Sequence, residues 1–206
     1  MHERQFYAPE GGQELDSSNL IYDVVEWRRA MQAAIEGTIK VRSSIHENIH
    51  DEKTFALFLN DGALANGSSI NVYFMTSAVG GECPHLIFDI HGSDAFDFDL
   101  LEGPTVTSDT GAQLDIFNKN RQGTNTSNVS DNSTSPVLNK ASSNVTITDD
   151  GTTILQDFVS SGHKIGGTVG FDREFILSPS TAYVFRLTSR AANIRAHINL
   201  DWYEPI

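Results

Sequence analysis

The apolar residues of this chain recur at two spacings, and the change from one to the other divides it. In "YDVVEWRRAMQAAIEG", which starts at Tyr22, residues Val24, Trp27, Met31, Ala34 and Ile35 fall at helical intervals, and Gly37 supplies a stop. From Lys40 onward the period is two. Leu86, Phe88 and Ile90 share one face; after Gly92 and Ser93, Phe96, Phe98 and Leu100 share another, opposite Asp97 and Asp99. The stretches "SINVYFMTS", "AQLDIFNKN", "NVTITDDGTTILQDFV", "REFILSPSTAYVFRLTSRA" and "RAHINLDWYEP" continue the alternation. An apolar face backed by a polar one is the pattern of half-buried antiparallel strands. Asp150-Gly151 is a hairpin-turn signal, and Pro179 marks a turn between Phe175–Leu177 and Tyr183–Leu187. About eight strands with long connections predict an all-β fold, a jelly-roll-like antiparallel β-sandwich over residues 41–206. An extended N-terminal arm and one short helix, residues 1–40, precede it. An immunoglobulin-like Greek key is the alternative, but its Cys…Trp…Cys spacing is missing.

Two tracts break the alternation. From Gln122 to Ser143 the chain is rich in Ser, Asn and Thr and poor in apolar anchors, which predicts a long, mobile loop. Its sequons at Asn125, Asn128 and Asn132 are read as compositional. "KIGGTVG", from Lys164, is glycine-rich with no helix after it, and reads as a flexible loop and not as a phosphate cradle.

Composition narrows the function. At 206 residues and 39% hydrophobic content the chain is long enough for a real core. No apolar run approaches the ~20 residues of a membrane span, and the first residues are too polar for a secretory signal. A lone cysteine, Cys83, allows no internal disulfide and fits a reducing cytoplasm. The net charge of -13 opposes nucleic-acid binding. Between Ser43 and Asp115 twelve acidic residues face one basic residue, Lys53, a balance of 1 - 12 = -11.

Candidate chemistry starts with His46-Glu47-Asn48-Ile49-His50, which has the letters of the zincin motif H-E-x-x-H. That site needs a helix. The flanks "TIKVRSSI" and "KTFALFL" read as strand, and on a strand the two imidazoles would stand roughly 13 Å apart. The motif is therefore expected to be a polar strand or turn. His85, Asp89 and His91 alternate on one strand face and read as solvent-facing; Asp97 and Asp99 read as acid outside a phenylalanine core. No catalytic, cofactor-binding or metal-ligating residue is assigned, and no enzyme activity is expected.

Three stretches carry a resemblance. "EFILSPSTAYVFRLTSRAANIRAHINLDWYEP" has a strand, a Pro-Ser-Thr turn, a strand ending in arginine and a last strand closing in Trp-Tyr-Glu. "FDFDLLEGPTVTSDTGAQLDIFNKNRQGTNTS" has a strand, a Glu-Gly-Pro turn, a strand and an Asn/Arg-rich segment, and "NIHDEKTFAL" looks like an entry to a first strand. From about Ile45 to Glu204 this resembles the capsid cement, or decoration, proteins of tailed bacteriophages. The resemblance implies a β-sandwich, a homotrimer, and a place on the outer surface of the virion shell, bound to the major capsid protein after synthesis in the bacterial cytoplasm. It implies no cofactor, no nucleic acid and no membrane. Residues 1–40 match no pattern, yet carry Phe6, Tyr7, Trp27, Arg28, Arg29 and Met31, residue types enriched at interface hot spots; they are the candidate capsid or trimer contacts. A rival reading is a carbohydrate-binding, receptor-binding module of a phage tail or fibre, with Trp202, Tyr203 and Tyr183 stacking on sugars. A metal-dependent hydrolase is the third.

Overall fold

Fourteen short segments of alternating side chains close into sheets around one apolar layer in the computed structural model, which describes residues 44–77, 83–160, 167–170 and 174–204. A helix, α1 (Ser44–His50), leads into β1 (Thr54–Leu64), β2 (Ser69–Met75), β3 (His85–Gly92) and β4 (Phe96–Glu102). Short strands follow: β5 (Thr105–Val106), β6 (Ala112–Asp115), β7 (Phe117–Asn118), β8 (Lys140–Ser143) and β9 (Ile147–Asp149). The chain ends in β10 (Thr152–Val159), β11 (Gly167–Gly170), β12 (Phe175–Ile176), β13 (Ala182–Ser189) and β14 (Ile194–Tyr203).

Sheet one has the order β11-β3-β14-β1-β7, with β12 also on β3; sheet two has the order β10-β4-β13-β2-β8-β6; β5 and β9 form a small third sheet. All the ladders between these strands are antiparallel. The central order β11-β3-β14-β1 in one sheet is matched by β10-β4-β13-β2 in the other. Each consecutive long pair, β1–β2, β3–β4 and β13–β14, is thus split between the sheets. The first and last strands lie side by side in sheet one, and the second and second-last in sheet two. This is the strand order of a jelly roll.

The inward faces are those the alternation marks. Phe88, Ile90, Phe96, Phe98, Phe185, Leu187, Ile198 and Leu200 are all buried in one cluster with Phe74 and Trp202. Phe88 packs on Phe98 at 5.3 Å between ring centroids and edge-on against Phe185 at 5.6 Å. Each such side chain contributes about 1.5–3 kcal/mol on leaving water. A second cluster, Tyr73, Leu101, Val145, Ala182 and Val184, lies with Val106 and Ile147 of the small third sheet. Sheet two is therefore covered on both faces at this end, which is why Leu100 and Leu101, adjacent in sequence, are both buried.

Four expectations are corrected. The His46–His50 stretch is a helix, stopped by a Schellman cap: Lys53 N donates to Asn48 O at 3.0 Å and Glu52 N to Ile49 O at 3.1 Å, with Glu52 left-handed at φ 61°. A helix of seven residues is too short for its apolar period to show among β-rich flanks. The tract from Gln122 to Ser143 is not a bare loop. Ser127, Val129, Asp131, Asn132 and Ser142 are buried, and its end forms β8. Part of "KIGGTVG" is a strand: Gly167–Gly170 pairs with β3. The Asp150-Gly151 turn exists, with Gly151 at φ 64°, but it passes the chain from the third sheet to sheet two and closes no hairpin. The expected N-terminal arm and helix lie outside the described residues.

Candidate functional site

The end of α1, the start of β1, the end of β14 and residues 124–128 frame a cleft of about 290 Å³, lined among others by Glu52, Lys53, Thr124, Asn125, Asn128 and Glu204. Two carboxylates and an amine around a cleft have the makings of acid–base chemistry. Their hydrogen bonds give them another task. Glu204 is 3% exposed; its Oε1 accepts from Ser127 Oγ at 2.5 Å and Trp202 Nε1 at 2.8 Å, and its Oε2 from Asn128 N at 2.9 Å. Glu52 Oε2 accepts from Thr124 N at 2.8 Å and Asn125 N at 3.0 Å. A Cβ on Gly123 would meet the Glu52 side chain at 2.6 Å, so this approach requires glycine there. Both carboxylates hold the same segment from opposite ends, and the cleft between them is a polar seam.

The acidic residues on sheet two are similarly engaged. Asp99, buried, accepts from Arg186 Nε at 3.1 Å and Nη2 at 2.9 Å, and from Gln156 Nε2 at 2.8 Å. Arg186 also donates to both carboxylate oxygens of Asp150, at 2.8 and 2.9 Å. The Arg186 hydrogen bond holds the Asp150 carboxyl below its usual range, and Asp150, followed by Asp99, raises the guanidinium further. Asp97 pairs with Arg190. Asp97 and Asp99 of β4 thus sit in ion pairs with Arg190, just past the end of β13, and Arg186 within it.

The described histidines fall in three places. His85 Nδ1 lies 2.5 Å from Glu174 Oε1, and its ring stacks on Tyr203 at 4.5 Å between centroids. Tyr203, then His85, lowers the Glu174 carboxyl. His91 and His197 are register partners on β3 and β14, with centroids 5.8 Å apart. Burial, then the neighbouring His91, lowers His197. β3 is flanked on both sides, so His91 and Asp89 are not at a sheet edge. The third place is α1, where His46 Nε2 and His50 Nε2 stand 3.0 Å apart, not the wide separation of a strand. Among the described residues no cluster of three or more His, Cys, Asp or Glu is arranged to hold a metal.

The outer face of sheet one carries a surface the sequence reading passes over. Phe58 is 53% exposed and stacks on Phe117 of β7, with centroids 6.3 Å apart and ring planes 18° apart. The Arg121 guanidinium lies 5.5 Å from the Phe117 centroid. Lys119 donates to Asp201 at 3.1 Å beside them. The signal was available: in "TFALFLNDG" Phe55, Leu57 and Leu59 hold the inward phase, and Phe58 is an aromatic out of phase.

The sugar-stacking candidates fare unequally. Trp202 and Tyr183 are buried in the core, and Tyr203 alone of the three is only half-buried. Phe6, Tyr7, Trp27, Arg28, Arg29 and Met31 lie outside the described residues. Comparison of the chain with protein-family models, with curated proteins and with solved structures finds no match.

Proposed function

We propose that this chain is a structural binding protein of the capsid cement type, a homotrimer that attaches to the major capsid protein on the outer surface of a phage shell. The observation that carries the reading is the surface of sheet one: a stacked Phe58–Phe117 pair under Arg121, out of phase with the core and left to solvent. Aromatic residues and arginine are the types that dominate protein–protein hot spots. The carboxylates of Glu52, Glu204, Asp99 and Asp150 bind the protein's own backbone, hydroxyl, indole, amide and arginine groups, which suits a protein that works by contact and not by turnover. The sequence resemblance of residues 45–204 to cement proteins points to the major capsid protein as the partner. Phe6, Tyr7, Trp27, Arg28, Arg29 and Met31 are proposed as further contacts. A binder that recognises only the assembled shell stabilises it by mass action, and a trimer adds multivalency.

The test is to add the purified chain to shells stripped of decoration and to measure co-sedimentation and the temperature at which the shells rupture. Bound protein and a higher rupture temperature are expected, with light scattering reporting a trimer. Phe58→Ser should weaken attachment while leaving the far-ultraviolet circular dichroism unchanged. A monomer that never sediments with shells would refute the reading.

A further inference from the structure

We infer that His46 and His50 form a two-imidazole chelate for a borderline divalent transition cation, Ni²⁺ or Cu²⁺ before Zn²⁺, and that Mg²⁺ and Ca²⁺ are not bound there. Residues four apart on a helix project over the same turn, and α1 brings the two Nε2 atoms to 3.0 Å. A cation about 2.05 Å from each nitrogen would then see them at about 94°. That angle matches neighbouring positions of a square-planar or octahedral centre, the geometries of Cu²⁺ and Ni²⁺. A tetrahedral Zn²⁺ needs the nitrogens nearer 3.4 Å apart, so it requires the rings to turn. Imidazole suits these ions, whereas Mg²⁺ and Ca²⁺ take oxygen.

The helix holds the pair in place. Both histidines are exposed, while Asn48 and Ile49 between them are half-buried. The Schellman cap ends the helix directly after His50, and Asn120 Nδ2 donates to the His50 carbonyl at 3.4 Å. Entry of the cation replaces the imidazole–imidazole contact: each Nε2 lone pair goes to the metal, a neutral ring carries its one proton on Nδ1, and an imidazolium ring releases one proton to solvent, so binding weakens as pH falls. No third His, Cys, Asp or Glu joins the pair among the described residues. Two described ligands, and not three, separate the pair from the three-ligand catalytic zinc of H-E-x-x-H proteases.

The experiment is calorimetric titration of the full, untagged chain with NiCl₂ at neutral pH, with nuclear magnetic resonance of the histidine ring protons alongside. The expected result is one Ni²⁺ per chain, with selective paramagnetic broadening of the His46 and His50 rings. His46→Ala and His50→Ala should each weaken binding by about tenfold or more, since even loss of an outer-shell partner costs that much. Glu47→Gln and His91→Ala should leave it unchanged. No binding, binding that survives the His46→Ala/His50→Ala double substitution, or binding lost with Glu47→Gln would each overturn the two-imidazole chelate.

Discussion

The space between the sheets and the segment from Lys119 to Ser143 both hold buried residues, and opposite chemistries fix them. The first is filled by phenylalanine, leucine and isoleucine, with Phe88, Phe98 and Phe185 in mutual contact. The second has one fully buried apolar plug before β8, Val129, while Val137 and Leu138 are exposed. It is fixed by polar ties. Asp131 Oδ1 accepts from Ser133 N at 3.2 Å, Ser133 Oγ at 2.8 Å and Val137 N at 3.0 Å, and its Oδ2 from Gln113 Nε2 at 2.6 Å. Asn132 Nδ2 donates to the Thr107 and Thr110 carbonyls, each at 3.1 Å, and its Oδ1 accepts from Ser142 Oγ at 2.8 Å. Glu52 and Glu204 reach in from far along the chain. Apolar burial is non-directional and roughly proportional to area. A buried polar tie is directional, and losing one partner leaves the other unsatisfied. The first region should therefore lose stability by volume removed, and the second by acceptors removed.

The largest effect should come from the apolar side. Phe98→Ala should cost about 3–5 kcal/mol, read as a lower midpoint of urea unfolding with the transition still cooperative. A loss below about 1 kcal/mol would mean that the ring is not in the core. Next is Glu204→Ala, which strands Asn128 N, Ser127 Oγ and Trp202 Nε1 together; about 3 kcal/mol is expected, with proteolysis beginning between residues 120 and 139. Glu204→Gln keeps an acceptor oxygen and should lose less. Equal losses would show that charge, and not acceptor geometry, holds the seam.

Acid separates the regions further. Burial pushes the Asp131 carboxyl up, but the bonds from Val137, Ser133 and Gln113 together outweigh it and hold the group below its usual value. The unfolded chain then takes the proton first as pH falls. Asp131's contribution is complete above the ordinary aspartate value of about 3.9 and is lost as pH drops through the lowered folded value. His197 is also lowered, so it too opposes acid, starting from the ordinary histidine value of about 6.5. Stability measured against pH should show two descents. Asp131→Asn should make the lower one shallower, with the lowered carboxyls of Asp109, Asp150 and Glu174 carrying the rest, and His197→Gln should flatten the upper; exchanged effects would break the assignment. The smallest effect is at Glu52. Its left-handed backbone costs roughly 1 kcal/mol and its carboxylate offsets that strain. Glu52→Gly removes both and should change stability by under about 1 kcal/mol, whereas Glu52→Ala keeps the strain and should lose more, both read by thermal unfolding.

What the sequence made legible follows the same division. Period-two alternation is a local record of apolar burial, and it marked Leu86, Phe88, Ile90, Phe96, Phe98 and Leu100 correctly. The strand order was reachable from it, because a jelly roll is one of few ways to pair that many antiparallel strands. Polar ties leave no such record. Nothing near Ser127 or Asn128 announces that the carboxylate of Glu204 will arrive from the last strand, so a Ser/Asn/Thr tract with few apolar residues reads as disordered when it is not. The helix was lost for a third reason. Its period is barely two turns long, and its stop signal is a left-handed glutamate where glycine is the usual mark. Of the candidate surface, the off-phase Phe58 was visible, but its partner Phe117 is set by the pairing of β7 with β1, a long-range fact.

The jelly-roll order has a mechanical consequence. Thr54, where β1 begins, is the register partner of Tyr203, where β14 ends. A pull applied between those two points opens the β1–β14 ladder like a zipper, one rung after another, and never loads the rungs in parallel. The sandwich is therefore weakest to tension between these two points and strong against forces spread over its sheets. A partner that is to transmit load through this protein has to grip it by a face.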